Sequence, residues 1–307
     1  MRSAWRAAQW LLGLAVIGLA VRALVRNWDQ LRAQPLALEP RPAYLVASAL
    51  LVWAMYAVLI AAWRAMLAGW GQRLDPAAAA RIWTVSSLGK YLPGKIWSMA
   101  GMALMAQRAG VAPWAATGSA VILQAISIGT GAALVGLTGA VGLETAHPGA
   151  RAALALLVAA SAVGVGLVLW PPFTGRLLRL AGIAPGAARP PTTASVVLGL
   201  GANVVAWVGY GVSLVWLARG LLPDAHLTLP SAVAAYAASY LAGFLALLAP
   251  GGIGVREALL ILLLRAPLGL GAATVLALAS RVLLTITELG AAAPFLLSSD
   301  RSTRVAD

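Results

Sequence analysis

Long runs of apolar residues without a single charge divide this chain of 307 residues. A transmembrane helix needs about 20 predominantly apolar residues, and a soluble helix of that length would carry a polar face, which these runs lack. The pattern therefore predicts an all-α, polytopic membrane protein that forms a single integral membrane domain over residues 1–307. The charge-free runs are Ala43–Trp63, Pro113–Leu143, Ala152–Gly175, Pro190–Ala218 and Ala225–Val255.

Six full transmembrane helices are predicted from these runs and their polar boundaries. The first follows a basic start and so resembles a signal peptide, but Arg22 interrupts the region where a cleavage site would lie. This arginine favours a retained helix. The six predicted spans are Trp5–Leu24, Ala43–Met66 and residues 113–140, 151–170, 195–218 and 268–297.

Two further apolar segments, at residues 79–110 and 231–265, are interrupted by a Pro-Gly sequence in their middle. Proline removes a backbone donor and glycine frees the backbone, so a helix ends at such a site. Each arm is about 20 Å long, whereas the hydrocarbon core is about 30 Å thick. Each segment is therefore predicted to be a re-entrant hairpin with its tip near the middle of the membrane. The helix-breaking residues and candidate hinges are Pro93, Gly94, Pro250, Gly251, Gly252 and Gly254.

The order of spans and hairpins predicts an inverted repeat. Three full spans separate the two hairpins, so the hairpins must enter the membrane from opposite faces. The two halves of the repeat would lie at about 43–142 and 195–297. Helices that are broken at corresponding places in two halves mark the binding site in many transporters.

The distribution of charge predicts that both termini lie in the cytoplasm. The chain has 22 Lys and Arg residues against 9 Asp and Glu residues, and cytoplasmic loops carry the excess of Lys and Arg. With the N-terminus inside, the Arg-rich loop 171–193 and the tail with Arg301 and Arg304 are cytoplasmic, as this rule requires. The basic loop 25–42 then lies outside and departs from the rule.

Basic residues beside the two breaks indicate an anion-binding site. Lys90 and Lys95 flank the first break, and Arg256 follows the second. A lysine at mid-membrane costs roughly 2.5–3.5 kcal/mol on an insertion scale, and each new helix offers unpaired N–H groups to an anion. The alternative is a shallow first hairpin whose lysines extend to the interface, but this leaves the paired Gly251 and Gly252 unexplained. A phosphate site between the hairpin tips is therefore predicted.

Three more charged residues, Glu257, Arg281 and Glu288, interrupt the second half of the chain. Arg281 and Glu288 are seven positions apart and therefore share one helix face. Two roles stay open for them: a structural ion pair such as Glu257 with Arg281, or contact with substrate. In the second case Glu257 orients Arg256 or Arg281, and Glu257 and Glu288 are the acids placed to couple transport to a proton. Trp97, close to the first tip, is predicted to line the cavity.

The remaining polar residues give no sign of an enzyme. The sequence has no glycine-rich nucleotide loop and no histidine cluster, and the absence of cysteine excludes disulfides and thiolate chemistry. We therefore expect no enzymatic activity, no cofactor, no metal and no nucleic-acid partner. Gln124 and Asn203, which lie within apolar spans, are expected to form hydrogen bonds between helices.

Two motifs resemble the membrane domain of bacterial lysylphosphatidylglycerol synthases and the related stand-alone flippase-like proteins. The first is SLGKYLPGKIW followed by QRAGV, and the second is APGGIGVREALL. The family pattern falls on Tyr91–Gly94, Arg108–Gly110 and Pro250–Glu257. The resemblance implies movement of a lipid between leaflets of the bacterial inner membrane. The aminoacyl-transfer domain that usually follows is not found in these 307 residues, so synthase activity is not expected.

The sequence thus predicts a lipid translocase of the bacterial cytoplasmic membrane. Its substrate would be an anionic phospholipid or a polyprenyl-phosphate-linked lipid, with the phosphate bound by Lys90, Lys95 and Arg256 and contacted by Arg281. One alternative is a non-transporting, lipid-binding partner subunit of an envelope glycosyltransferase. Another is a transporter of ions or small solutes, which would not depend on lipid.

Overall fold

The chain folds into α-helices throughout the part that the structure describes. This computed structural model covers residues 38–91, 96–142, 192–246 and 249–299, with isolated positions between 159 and 179. Seven α-helices and no strands occur in these ranges, which confirms the predicted all-α class for them. The helices are α1 (Pro42–Gly69), α2 (Pro76–Ser87), α3 (Ile96–Arg108), α4 (Pro113–Gly142), α5 (Thr193–Leu221), α6 (Leu229–Leu245) and α7 (Val255–Ser299).

Four of these helices are long and apolar enough to cross a membrane. They are α1, residues 113–139 of α4, α5, and residues 255–297 of α7. The helices predicted at 43–66, 113–140 and 195–218 are therefore confirmed, and the one predicted at 268–297 forms the second part of α7. The first predicted span lies outside the described residues, as do most of 151–170, most of the Arg-rich loop and the C-terminal tail.

Local capping explains where several of these helices begin. The carboxylate of Asp75 accepts hydrogen bonds from the backbone N–H groups of Ala77 and Ala78, at 2.9 and 3.1 Å. The hydroxyls of Thr192 and Thr228 each accept from the backbone N–H three residues on, at 3.3 and 3.4 Å. These side chains satisfy N–H groups that have no partner within the helix. Proline in the first turn of α1, α2 and α6 fits the same positions.

The first Pro-Gly segment forms two short helices that pack against each other. Helix α2 continues into a 3₁₀ turn, Leu88–Tyr91, and α3 begins at Ile96. The turn folds so closely onto α3 that a Cβ on Gly89 would lie 2.8 Å from the backbone nitrogen of Ser98. The predicted helix–break–helix form is thus confirmed. The residues at the break, Pro93, Gly94 and Lys95, lie outside the described residues.

The second Pro-Gly segment has the same form. Helix α6 ends at Leu245, a 3₁₀ turn covers Pro250–Gly252, and α7 begins at Val255. Gly251, Gly252 and Gly254 have φ angles of 57°, 70° and 84°, a conformation that glycine adopts without steric cost. A Cβ on Gly252 would also lie 2.9 Å from the Cα of Gly243 in α6. Glycine is therefore required at this tip both for backbone conformation and for space.

Helix α7 is bent at Gly269, where the backbone has φ 79° and ψ 161°. Pro267 precedes the bend and cannot donate a helical hydrogen bond. The bend separates a short first part of α7, which pairs with α6, from a long second part. Each half of the chain thus contains a long helix, two short helices around a break, and another long helix. That the two halves are inverted copies remains a prediction.

Helices α1 and α5 run antiparallel and form an extensive interface. At the N-terminal end of α1, the backbone N–H of Arg41 donates to the carbonyl of Gly220, near the C-terminus of α5, at 2.8 Å. In the middle, the buried hydroxyls of Ser48 and Ser213 lie 2.8 Å apart. The hydroxyl of Ser48 donates to the carbonyl of Ser213 at 2.9 Å, and that of Ser213 donates to the carbonyl of Ser48 at 3.2 Å. The contact is therefore reciprocal.

The two broken segments meet inside the bundle. The 3₁₀ turn of the first segment contacts that of the second. A Cβ on Gly251 would lie 3.1 Å from Cδ1 of Tyr91 and 3.1 Å from a terminal nitrogen of Arg281. The 3₁₀ turns beside the two breaks therefore lie together, as the predicted convergence of the tips requires.

We expect close packing of α5 against α6 to make Gly211 sensitive to substitution. A Cβ there would lie 2.4 Å from Cγ2 of Val233 and 3.1 Å from the backbone N and Cα of the same residue. Gly211→Ala should therefore destabilise the protein by about 1–3 kcal/mol, the usual cost of overpacking. Thermal unfolding in detergent measures this effect.

The matched control is Gly201→Ala on the same helix, where a Cβ would meet nothing within 4 Å. This variant should be as stable as the parent or gain up to about 1 kcal/mol, because alanine favours helix over glycine. Equal unfolding temperatures for the two variants would contradict the observed packing.

Candidate functional site

A cavity of about 250 Å³ lies where the two broken segments meet. All seven helices contribute to its lining, together with both 3₁₀ turns. The lining combines apolar side chains with a limited number of polar and charged ones, which is the usual composition of a ligand site. Five of the six tyrosines of the chain face it: Tyr56, Tyr91, Tyr210, Tyr236 and Tyr240.

Charge is concentrated in this cavity. Lys90, Arg256, Arg281 and Glu288 line it, and Glu257 lies beside Arg281. Arg256 is only 6% exposed and Glu288 only 7%. Three cations and two carboxylates leave one positive charge among these described residues. Buried charge of this kind is costly and marks functional sites in membrane proteins.

Glu288 holds the first tip. The ammonium group of Lys90 forms an ion pair and hydrogen bond with one carboxylate oxygen of Glu288. The hydroxyl of Tyr91 donates to the other oxygen at 2.8 Å. The 3₁₀ turn after α2 is therefore fixed to the second part of α7 by both oxygens of one carboxylate.

Arg281, two helical turns earlier on α7, holds the second tip. Its Nη1 donates to the carbonyl of Gly251 at 2.9 Å and lies 3.7 Å from Oε1 of Glu257. The other oxygen of Glu257 accepts from the backbone N–H of Gly254 at 2.6 Å. Glu257 thus caps the start of α7 in the manner of a capping box. The ion pair between Glu257 and Arg281, one of the two roles left open by the sequence, is therefore present. The same carboxylate also accepts from an N–H group at the start of α7 that we predicted would bind an anion.

Arg256 differs from the other two cations. Its guanidinium donates to the hydroxyl of Ser280 at 3.2 Å and lies 5.1 Å from the ring centroid of Tyr236. Among the described residues, no carboxylate pairs with it. An arginine that faces a cavity without a paired carboxylate is suited to bind a phosphate, because its planar fork matches two phosphate oxygens.

Neutral polar groups line the side of the cavity formed by α2, α3 and α4. Gln124 faces the cavity, and no described residue forms a hydrogen bond with its side chain. Asn203, on α5, donates to the carbonyl of Gly199 in its own helix at 2.9 Å. The predicted hydrogen bond between helices is therefore wrong for Asn203, because the amide satisfies itself one turn back. The other polar side chains here are Thr84, Ser86, Ser87, Ser98 and Ser127.

Aromatic rings of α5 and α6 form another part of the wall. Tyr236 stacks on Tyr210 with ring centroids 5.2 Å apart and an angle of 19° between ring planes. Trp207 contacts Tyr240 edge-on at 5.4 Å. The sequence analysis missed this wall. The available signal was the spacing of Tyr236 and Tyr240, which are four positions apart and therefore on one face of an otherwise mostly apolar helix.

The structure brings most of the predicted site residues together. Gly251, Gly252 and the four charged lining residues border one cavity. Trp97 does not, and its predicted place in the lining is wrong. It is 48% exposed, because the cavity-facing positions of α3 are Ser98, Met99 and Met102. Across the described ranges, no three His, Cys, Asp or Glu side chains lie close enough together to hold a metal ion.

We expect Lys90 and Glu288 to be energetically coupled. Removing one partner leaves a buried charge without compensation, so Lys90→Met and Glu288→Leu should each destabilise the protein by on the order of 3 kcal/mol. The side chain of Lys90 is 28% exposed and that of Glu288 is 8% exposed, so Lys90→Met, which leaves the more buried charge unpaired, should be the more costly of the two. Thermal unfolding of both single variants and the double variant forms a double-mutant cycle.

The double variant should be more stable than the sum of the single effects predicts, by at least about 1 kcal/mol. Strict additivity would show that the two side chains act independently. A control cycle that combines Arg265→Met with Glu288→Leu should be additive, because Arg265 is an exposed residue of α7.

Comparison with known proteins assigns the family. The sequence pattern of one family, described as the lysylphosphatidylglycerol synthase TM region, matches residues 9–289. No curated protein matches the chain significantly. The matched region contains both broken segments and every charged residue of the cavity. This multi-pass membrane protein therefore belongs to the lysylphosphatidylglycerol synthase TM region family.

Proposed function

We propose that this protein is a lipid translocase that binds the phosphate of an anionic phospholipid or polyprenyl-phosphate-linked lipid and moves it between leaflets. The observation that carries the proposal is the cavity between the two broken segments, where three cations face two carboxylates. Membership of a family of lipid-related membrane regions supports it. The protein would act without chemistry on the lipid and without a cofactor.

The phosphate is placed at Arg256 in this proposal. Arg256 can accept an anion without losing a carboxylate partner, whereas Lys90 and Arg281 must first leave or share Glu288 and Glu257. Hydrogen bonds to a charged group contribute about 1.5–3 kcal/mol each. The headgroup would occupy the cavity while the acyl or prenyl tails stay in the bilayer.

The two broken segments supply the moving parts. Alternating access in many transporters is a rocking of one repeat against the other around a fixed midplane site. The order of helices in the two halves and the antiparallel contact of α1 with α5 support such an inverted arrangement. Re-entrant hairpins with tips at mid-membrane follow from this proposal, because non-helical backbone at that depth must face protein or a polar cavity.

A first experiment measures lipid movement in liposomes that contain only the purified protein. A fluorescent anionic phospholipid should become accessible to a membrane-impermeant quencher in both leaflets. Arg256→Ala should lower the rate at least about tenfold, since it removes a charge-assisted bond. Arg256→Lys should restore part of it, because lysine keeps the charge but not the fork.

The control is Arg265→Ala, which removes an exposed arginine from the same helix and should leave the rate unchanged. If the parent protein binds lipid but never moves it, the protein is a lipid-binding partner subunit instead. If Arg256→Ala moves lipid as fast as the parent, the phosphate site is misplaced.

A second experiment concerns the driving force. The sequence has no nucleotide-binding loop, and Glu257 and Glu288 are both engaged with cations. Movement of an anionic headgroup should therefore follow the membrane potential, which is worth about 2.3 kcal/mol per charge per 100 mV. Transport towards the positive side should quicken with an imposed potential and ignore a pH gradient. Acceleration by a pH gradient that Glu288→Gln abolishes would instead establish proton coupling.

A further inference from the structure

The cavity consists of two related half-sites. Pro93 and Pro250 are 157 positions apart in the sequence, and several pairs of cavity-lining residues have this same spacing. Trp83 pairs in this way with Tyr240, Met99 with Arg256, and Gln124 with Arg281. We call the lining residues of α2, α3 and α4 the first half-site and those of α6 and α7 the second half-site. Related positions thus face one cavity from both halves of the chain.

The two half-sites differ in charge. Where the second half-site has Arg256 and Arg281, the first has Met99 and Gln124. Among the described residues, α2, α3 and α4 present no carboxylate and no cation to the cavity, and Lys90, in the 3₁₀ turn between α2 and α3, is paired with Glu288. The ligand should therefore be asymmetric, with its charge at the second half-site and a neutral polar part at the first.

The hydroxyl groups of α2 in the first half-site can act only as hydrogen-bond acceptors for a ligand, because their protons are already donated within the helix. Thr84, Ser86 and Ser87 donate their protons to backbone carbonyls of α2, at 2.8, 3.3 and 2.8 Å. Their oxygens keep free lone pairs. The carboxamide of Gln124 adds both donors and an acceptor. Groups that both donate and accept hydrogen bonds without charge, such as alcohols, satisfy such a wall.

Charge balance separates an alcohol from an amine. The single positive charge left among the five ionised side chains is neutralised by one phosphodiester. An ammonium group on the headgroup would add a second positive charge and leave the buried site with a net charge of +1. Both carboxylates already form ion pairs with Lys90 and Arg281, so neither is free to balance this ammonium. Unpaired buried charge is costly.

We infer, on the basis of the proposed function, that the lipid is a monoanionic phosphodiester with an uncharged, hydroxylated headgroup, either a glycerol or a sugar. Its phosphate contacts Arg256, and its hydroxyl groups contact the first half-site at Gln124, Ser86 and Ser87. Discrimination among anionic lipids therefore lies in α2 and α4, and affinity for phosphate lies in α7.

The test compares three phospholipids that share acyl chains and differ only in the headgroup. Phosphatidylglycerol carries the phosphodiester and two hydroxyls, phosphatidylmethanol carries the phosphodiester alone, and phosphatidylethanolamine carries an amine. Competition for the parent protein in nanodiscs should rank them in that order. Loss of one or two neutral hydrogen bonds should weaken phosphatidylmethanol by about 2- to 10-fold relative to phosphatidylglycerol.

Variants then assign the preference to the first half-site. Gln124→Leu should weaken phosphatidylglycerol towards the level of phosphatidylmethanol, with any remaining preference due to Ser86 and Ser87, and should leave phosphatidylmethanol unchanged. Gln124→Glu should shift the preference towards phosphatidylethanolamine, because it supplies the missing carboxylate. Gln107→Leu, at a glutamine of α3 outside the cavity lining, should retain the parental ranking. A glucosyl phosphoprenol in the same competition shows whether the favoured hydroxyls belong to a sugar or to glycerol.

Two results would overturn the inference: equal binding of phosphatidylglycerol and phosphatidylmethanol by the parent protein, or equal loss of both on Gln124→Leu. Because the readout is binding, it is separate from transport. Selective binding without movement in liposomes would refute the translocase and keep the headgroup assignment. Movement of anionic lipids without any headgroup preference would instead keep the translocase and refute the headgroup assignment.

Discussion

Charge buried in an apolar bundle is the constraint on which this structure depends. One helix, α7, carries Arg281 and Glu288 on the same face, and each fixes the tip of a different broken segment. Without these contacts the carbonyl of Gly251 and the ammonium of Lys90 would line the cavity without a protein partner, and a buried polar group without a partner costs more than the hydrogen bond itself returns. The two interruptions in the helices and the charges that accompany them are therefore one structural unit, and this unit borders the cavity.

The same unit explains what could be read from the sequence. Apolar runs of more than 20 residues have only one stable form in a bilayer, so α1, α4 and α5 were predictable to within a few residues. The breaks were predictable because Pro250, Gly251 and Gly252 cannot continue a helix. Arg281 and Glu288 could be placed on one face by their spacing alone.

The pairing of these charges could not be read in the same way. Lys90 and Glu288 are 198 positions apart, and only tertiary packing brings them together. Trp97 was assigned to the cavity from its proximity to the tip in sequence, but the rotation of α3 about its axis decides which side chains face inward, and periodicity does not fix that rotation. Tyr236 and Tyr240 were overlooked because tyrosine in an apolar helix is ordinarily read as packing. Tyr236 contacts Arg256 and stacks on Tyr210, and Tyr240 stacks on Tyr236, so these rings give the cavity a largely apolar wall with a few polar groups.

The reciprocal contact between Ser48 and Ser213 has a mechanical consequence. Each hydroxyl donates to the carbonyl of the other residue, so the contact has the same pattern when viewed from either helix. These two small side chains also let the backbones approach closely. If α1 and α5 tilt against each other, as the proposed translocase requires, this paired contact is suited to be the pivot, and the larger rearrangement would fall on the glycine-rich turns.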